Sequence, residues 1–340
     1  MIKKTEEVLK DLKAKQYEFV YFLQGEEPYF IDQISNYIEE NVLSETEKGF
    51  NQSIFYGKEA AMEQVITAAR RFPMMSERQV VIVKEAQESP DLNREKGQKL
   101  IEDYLSNPQP STILVFCYKY KTLDSRKSLS KSFANNAVLV STKKPYDNQI
   151  PAWIESYVNS IGFQIEPKAT FLLTENLGNN LERIVNEVDK MALNMGDEKV
   201  INSLMVEKNV GINKDFNIFE LQKALIKKDA FKAQQIAGYF AVNSKKNPIA
   251  MVIGSLFSFF SKILIVHQTA DKSDRSLAST LRVSPFFVKD YASAAHTYPV
   301  SKVLMNIRHI RDADLISKGV DHGSLPENQI LKELIFKLMH

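Results

Sequence analysis

The first third of the chain alternates short apolar runs with segments of helical periodicity. The apolar runs have the length of buried strands and are bounded by glycine, proline or polar residues; they lie at residues 19–23, 80–83, 113–118 and 137–141. A helix is predicted after the first run, because Pro28 opens a stretch in which apolar residues recur at helical spacing. Alternating strands and helices predict a three-layer α/β domain with a parallel sheet.

The pattern is helical from about residue 150 onward. Pro145 and the polar residues beside it indicate a domain boundary at 145–150. Helical stripes continue to residue 212, and nearly every later segment is also helical. We therefore predict an α/β domain at 1–147, a small three-helix domain at 148–212, and an all-α domain at 213–340.

The turn after the first predicted strand has the position of a phosphate-binding loop but lacks its residues. Such a loop needs several glycines, a lysine and a serine or threonine, whereas this turn reads QGEEP at residues 24–28. Glu26 and Glu27 would repel a phosphate from the helix N-terminus, and Pro28 has no N–H to donate. We expect no nucleotide cofactor.

The second predicted strand also lacks the residues of an ATPase. An Asp-Glu pair would be needed there to hold Mg²⁺ and to position water, but the strand ends in Lys84 and Glu85. Lysine is not a Mg²⁺ ligand. The pattern therefore indicates an ATPase-like fold that has lost the reaction.

Motifs for metal binding and nucleophilic catalysis are not found in the sequence. The single cysteine, Cys117, lies in an apolar run and is expected to be buried and inert. The histidines show no i, i+4 pairing and no catalytic motif; they are His267, His296, His309, His322 and His340. We expect no metal site and no catalysis by this chain.

Charge and hydropathy place few limits on partners. The formal net charge is +2, and residues 214–340 hold 18 Lys and Arg against 11 Asp and Glu. This excess is compatible with a nearby nucleic acid and equally with a solvated helical surface. The most apolar segment, at 249–261, falls short of the roughly 18 residues that span a bilayer, and no signal-peptide core precedes it. We expect a cytoplasmic protein without a membrane partner.

The turn RRFPMMSER, at residues 70–78, is unusually apolar. Loops are generally polar, yet this one carries Phe72, Met74 and Met75 between charged residues. Two interpretations are open. The three side chains fill the chain's own core, or they project from the surface as a plug for an apolar pocket on a partner protein.

A second motif suggests DNA binding. The segment LASTLRVSPFFVKDYASAA has the outline of a helix-turn-helix. Its second helix would begin with Phe286, Phe287 and Val288, which cannot hydrogen-bond to base edges. Structural packing is therefore favoured, and a helix-turn-helix DNA-binding regulator remains an alternative.

An ordered set of segments resembles the delta subunit of the bacterial DNA polymerase III clamp loader. The resemblance covers essentially the whole chain and rests on the segments FLQGEEPYFIDQ, FPMMSERQVVIVKEAQ, TLDSRKSLSKSF, LGNNLERIVNEVDKM, DFNIFELQKAL, SPFFVKDYASAA and LKELIFKL. It implies a clamp-loader ATPase-like domain with a degenerate phosphate site, a three-helix lid domain and a helical collar domain. It also implies a component of the DNA polymerase holoenzyme that works in DNA replication.

The resemblance further implies a site and a set of partners. In the family, apolar residues of the turn insert into a pocket of the sliding clamp, a homodimeric ring; Met74 and Met75 occupy those positions here, with Phe72 as an adjacent contact. The implied function is to open this ring so that it can be loaded onto primed DNA. The implied partners are the ATPase and other subunits of a hetero-pentamer, and primed DNA through the assembled complex. An active ATPase of the same fold remains an alternative.

Overall fold

The computed structural model describes residues 1–211, 213, 216–320 and 325–340. The chain divides into two compact units, Met1–Pro145 and Tyr146–His340. The predicted separation of 148–212 from 213–340 stays a prediction. Ile212 at that boundary, Asp215 of the segment DFNIFELQKAL, and His322 lie outside the described residues.

A parallel sheet forms the centre of the first unit. Within residues 1–145, all of which the structure describes, five strands pair in the order β2-β3-β4-β1-β5. They are β1 (Val20–Gly25), β2 (Gln52–Tyr56), β3 (Gln79–Lys84), β4 (Thr112–Lys119) and β5 (Val138–Thr142). The structure confirms the four strands that the apolar runs predicted and the α/β class.

The prediction missed β2, which lies at an edge of the sheet. Its side chains are largely half-buried, and Ile54 and Tyr56 are exposed. A continuous apolar run marks only a strand that is covered on both faces. An edge strand with partly exposed side chains therefore gave no comparable signal.

Helices cover both faces of this sheet, as a three-layer domain requires. Side chains alternate between the two faces of each strand, so that Phe22 packs on one side and the neighbouring Leu23 on the other. The first face is covered by α4, α5 and α6 and the second by α1 and α2. The helices are α1 (Thr5–Lys13), α2 (Pro28–Asn41), α3 (Glu45–Asn51), α4 (Met62–Ala69), α5 (Glu95–Ser106) and α6 (Ser128–Asn136).

The second unit is almost entirely helical in its described part. Its helices are α7 (Ile150–Ser160), α8 (Pro167–Leu177), α9 (Leu181–Leu193), α10 (Ser203–Val210), α11 (Ile218–Ile226), α12 (Ala230–Val242), α13 (Ile249–Gln268), α14 (Asp274–Leu281), α15 (Pro285–Thr297), α16 (Val300–Ser317) and α17 (Glu327–Met339). The short parallel strands β6 (Gln164–Ile165) and β7 (Val200–Ile201) were not predicted. Helix α10 is an addition to the three helices expected before residue 212.

Helix α13 extends beyond the most apolar segment, 249–261, that the sequence shows. It spans 20 residues and is the one described helix that is long and apolar enough to cross a membrane. One face of it is nevertheless buried within the unit, where it packs against α11, α14, α15 and α16. Its apolar composition is accounted for by this central position in the helical unit.

The helix-turn-helix outline corresponds to α14 and α15. Phe287 and Val288 are buried, and the Phe287 ring lies 5.4 Å from the Phe171 ring and 5.8 Å from the Phe219 ring. Phe286 is exposed. Two of the three residues that would open a recognition helix therefore serve packing, as the sequence favoured.

Candidate functional site

The turn between α4 and β3 presents its apolar side chains to solvent. Phe72 is 79% exposed, Met74 is 62% exposed and Met75 is fully exposed. The interpretation in which these side chains fill the chain's own core is therefore wrong. The unit has instead a projecting apolar turn at the amino-terminal end of β3.

Asn51, the last residue of α3, anchors this turn. Its side chain is buried, and its Oδ1 accepts a hydrogen bond from the Met74 N–H at 2.6 Å. Its Nδ2 donates to the Met74 carbonyl at 2.9 Å and to the Glu47 carbonyl at 3.2 Å. The main chain of Met74 is thus fixed while its side chain stays free to contact a partner.

A second anchor lies on the other side of Met75. The Ser76 hydroxyl donates to the Glu47 carboxylate, which also accepts from the Ser44 hydroxyl at 2.7 Å and the Ser44 N–H at 2.9 Å. The Ser44 donors, together with Ser76, hold the pKa of the Glu47 carboxyl below its usual value. Helix α3 therefore forms hydrogen bonds to the residue before Met75 and to the residue after it.

Met75 itself has a left-handed backbone, with φ +52°. This region is unfavourable for a residue with a Cβ atom and costs about 1–2 kcal/mol. The conformation persists because the neighbouring residues on both sides are held by α3. It directs the Met75 side chain fully into solvent.

The base of the turn is fixed by Gln79, the first residue of β3. Its buried Nε2 lies 2.5 Å from the Arg71 carbonyl, 2.7 Å from Thr112 Oγ1, and 3.3 Å from the carbonyls of Ala68 and Ala69. The last carbonyls of a helix have no partner within the helix. Gln79 supplies one and joins the end of α4 to the sheet.

The loop after β1 uses its main-chain donors within the chain. The Gly25 N–H donates to the Lys121 carbonyl at 3.2 Å, and the Glu26 N–H donates to the Thr142 carbonyl at 3.1 Å. The Glu27 carboxylate accepts from the Tyr29 N–H at 3.1 Å. In a nucleotide-binding loop the main-chain N–H groups at these positions would have to face a phosphate.

Gly25 is required for packing. A Cβ atom at this position would lie 2.1 Å from the Thr142 carbonyl oxygen, and the backbone has φ +139°. The glycine therefore allows β1 and β5 to approach closely where β1 ends. It does not open a space for a ligand.

Lysines occupy the ends of β3 and β4, where an ATPase would bind Mg²⁺. Lys84 pairs with Glu39 at 2.7 Å and Lys119 pairs with Asp32 at 2.7 Å. Burial acts to lower the pKa of Lys84, but the hydrogen bond and charge of Glu39 outweigh burial and raise it. Both lysines therefore bring positive charge to a place where a divalent cation would need carboxylates.

The single cysteine and the metal-binding residue types show no reactive site in the described part of the chain. Cys117 is buried in β4, and burial raises the pKa of its thiol to about 12, so that the reactive thiolate is not formed. Among the described residues, no three His, Cys, Asp or Glu side chains come close enough to hold a metal ion.

Sequence reasoning located the exposed turn but missed the polar residues that hold it. Asn51 and Gln79 bond to main-chain groups of the turn and its base, Glu47 bonds to the Ser76 hydroxyl, and Asn51 reaches a residue 23 positions away. Such contacts leave no periodic pattern. The one available signal was a polar residue at the junction of two elements, where unpaired main-chain groups need partners.

Comparisons with known proteins agree on one family. The family described as "DNA polymerase III, delta subunit" matches residues 21–143. A curated relative from Bacillus subtilis (strain 168), DNA polymerase III subunit delta, is 27% identical over 334 residues, which is 96% of this chain and 94% of the relative. The solved structure of the Bacillus subtilis DNA clamp loader delta protein (YqeN) is 25% identical, with a TM-score of 0.55, and covers 98% of this chain and 99% of its own. These matches confirm the resemblance indicated by the ordered segments.

Proposed function

We propose that this chain, a relative of DNA polymerase III delta subunits along almost its whole length, is the delta subunit of a clamp loader. In this role it binds the sliding clamp and opens its ring for loading onto primed DNA during replication in the cytoplasm. The chain acts within a hetero-pentamer that includes ATPase subunits. It contributes to the polymerase holoenzyme without performing catalysis itself.

The observation that carries this proposal is the anchored apolar turn. Phe72, Met74 and Met75 are exposed, although the unit has a well-filled core. Full burial of such a side chain against a partner contributes about 1.5–3 kcal/mol. Because α3 already fixes the main chain of the turn, little backbone freedom is lost on binding, which improves affinity.

Opening of the clamp follows from differential binding. A ligand shifts an equilibrium only by as much as its affinity for the two states differs. The turn supplies affinity for one subunit of the ring. The remainder of the α/β unit must then contact the open ring more favourably than the closed ring.

ATP is assigned to other subunits of the loader. The N–H groups of Gly25 and Glu26 already donate to carbonyls of this chain, and Lys84 stands where a Mg²⁺ ligand is needed. A triphosphate would have to displace these internal bonds next to the carboxylate of Glu27. These features disfavour the alternative of an active ATPase.

The test is a binding assay against the sliding clamp of the same organism. We expect Met74→Ala/Met75→Ala to weaken binding by about 100-fold, because two apolar contacts worth about 3 kcal/mol together are lost. Leu193→Ala removes an equally exposed apolar side chain from the second unit and serves as the matched control. A folded double variant that binds as tightly as wild type would overturn the assignment of the turn.

Ring opening needs a separate readout. A fluorophore pair placed across the clamp's subunit interface reports the separation of the two subunits when this chain is added. We expect wild type to increase the separation and the double methionine variant to leave it unchanged at the same concentration. Tight binding without separation would limit the function to clamp binding.

A further inference from the structure

Phe50 is an exposed aromatic residue that the core of the first unit does not use. It is the last residue but one of α3, and its side chain is 76% exposed. The rest of α3 is polar apart from Gly49, and Asn51 is its one buried residue. No other aromatic ring among the described residues packs on Phe50. Its side chain therefore makes no evident contribution to folding.

The position of Phe50 next to the turn is fixed by Asn51. The Asn51 side chain is bonded to both main-chain groups of Met74. Adjacent α-carbons are about 3.8 Å apart. The Asn51 side chain and its hydrogen bond to the Met74 N–H separate the α-carbons of these two residues by at most about 7.5 Å, so the Phe50 and Met74 α-carbons lie within about 11 Å. Phe50 thus borders the apolar turn although it is distant in sequence.

Together the four side chains have the composition of the centre of a protein interface. Phe50, Phe72, Met74 and Met75 are all more than half exposed. Arg70 and Arg71, which are also exposed, directly precede Phe72 in the chain. An apolar centre with aromatic residues and methionine, and arginine nearby, is typical of protein-binding surfaces.

We propose that Phe50 is a fourth clamp contact, and that it binds an apolar part of the clamp surface beside the pocket that receives Met74 and Met75. This inference rests on the proposed function. Its physical role differs from that of the turn. Methionine side chains are flexible and adapt to a pocket, whereas a phenylalanine on a helix has two side-chain torsions and loses little entropy on binding.

A second contact on another element restricts rotation of the bound clamp about the turn. A single plug holds the two proteins together at one point and leaves their relative orientation weakly defined. Contact by both α3 and the turn fixes that orientation. A fixed orientation is what allows the remainder of the unit to discriminate between the open and the closed ring.

The first experiment compares Phe50→Ala with Gly49→Ala in the full-length chain. Gly49 is the adjacent residue of α3, and a Cβ atom there would meet no other atom within 4 Å. We expect Phe50→Ala to weaken clamp binding by about tenfold and Gly49→Ala to leave it unchanged. Phe50→Leu, which keeps an apolar side chain, should restore most of the affinity.

The outcomes separate this inference from the proposed function. If Met74→Ala/Met75→Ala weakens binding and Phe50→Ala does not, the Phe50 contact is refuted, and the turn remains assigned as the clamp-binding element. If neither variant changes binding, the proposed clamp-binding turn fails, and Phe50 with it. Weakened binding by Phe50→Ala, with an unchanged thermal midpoint, supports the contact.

A direct readout uses the chain's single native cysteine. Cys117 is buried with its pKa raised to about 12, so that it does not compete for thiol reagents. Phe50→Cys and, as a control, Leu193→Cys can therefore be labelled selectively. We expect the clamp to slow labelling at position 50 by at least about tenfold and to leave position 193 unaffected. Equal labelling rates with and without saturating clamp would refute the contact.

Discussion

Asn51 and Met74 are joined by two hydrogen bonds that run in opposite directions between one side-chain amide and the main chain of one residue. The amide oxygen accepts from the Met74 N–H, and the amide nitrogen donates to the Met74 carbonyl. An asparagine can form both bonds at once because its side chain carries a donor and an acceptor. This pair fixes the turn without using either methionine side chain.

Removal of the Asn51 side chain should loosen the turn more than it destabilises the unit. In Asn51→Ala the Met74 N–H and carbonyl lose their partners, at a cost of about 1–2 kcal/mol. We expect faster hydrogen exchange at the Met74 amide and about tenfold weaker clamp binding. Asn51→Asp keeps an acceptor for the N–H and should protect that amide better than alanine does. Unchanged exchange in Asn51→Ala would show that the turn is held by other contacts.

The Gln79 side chain should be important for stability. Gln79→Leu keeps the approximate volume but removes the donor to the carbonyls of Ala68 and Ala69, which end α4, and to the Arg71 carbonyl and Thr112 Oγ1. We expect the free energy of unfolding to fall by about 1–3 kcal/mol, measured by urea denaturation. Gln16 is exposed, so Gln16→Leu is the control and should change stability by less than about 0.5 kcal/mol. Equal effects of the two substitutions would contradict this role.

Two glycine substitutions should have opposite effects. In Gly25→Ala the new methyl group would meet the Thr142 carbonyl, and the backbone has a positive φ; we expect a loss of about 2–4 kcal/mol. Gly49→Ala adds a methyl group in open space within α3 and should stabilise the chain by about 0.5–1 kcal/mol. Thermal melts of the two variants measure both effects. A tolerated alanine at position 25 would mean that β1 and β5 can separate there.

The chain should not bind ATP at micromolar concentration. The main-chain donors of the loop after β1 are already bonded to Lys121 and Thr142 carbonyls, and Glu27 places a carboxylate at the N-terminus of α2. Titration with a fluorescent ATP analogue should give no saturable signal, with an ATPase subunit of the same loader as the positive control. Saturable binding that competes with unlabelled ATP would revive the ATPase alternative.

The Glu175 carboxyl should make the stability of the helical unit depend on pH. Burial raises its pKa above the ordinary value of 4.5, while the Ser255 hydroxyl, which donates to it, and Lys262 act in the opposite direction; Asp147 raises it further. Since the folded-state pKa is raised, the stabilising contribution of this group is complete below about pH 4.5 and declines as the pH rises through the folded value.

This sign can be measured with Glu175→Gln, which cannot ionise. We expect the variant to gain stability relative to wild type as the pH rises from 4.5 to 8, because only wild type must ionise this buried carboxyl. Burial lowers the pKa of the half-buried Lys262 and the Glu175 charge raises it, so Lys262→Met is made in both backgrounds to remove its own titration from the comparison. Glu155→Gln changes an exposed carboxylate and serves as the control. A difference that is constant over this range would contradict the raised pKa.

The strands that the sequence predicted most clearly are those that are buried on both faces. Strands β1, β3 and β4 are covered on both faces, so that their residues form continuous apolar runs. Strand β2 is an edge strand with half-buried side chains and left no such run. The strands β6 and β7 have two residues each, too few for a period to be recognised.

The candidate site was predicted in part for a similar reason. Met74 and Met75 were recognisable because apolar residues in a turn are unusual, but their exposure could not be decided from their identity. The same residues are common in cores. Phe50 gave no signal, because a single aromatic residue on a short helix is compatible with either environment. Only the hydrogen bonds between its neighbour Asn51 and Met74 place it near the turn.

The left-handed backbone of Met75 implies a conflict between selection for stability and selection for binding. Glycine is the residue best suited to that conformation, and Met75→Gly would relieve the backbone cost at a position where the side chain contacts nothing within the chain. A screen for thermostable variants would therefore tend to enrich Met75→Gly while discarding part of the clamp-binding surface. We expect selection for replication to keep methionine at position 75. Selection for heat resistance alone should replace it.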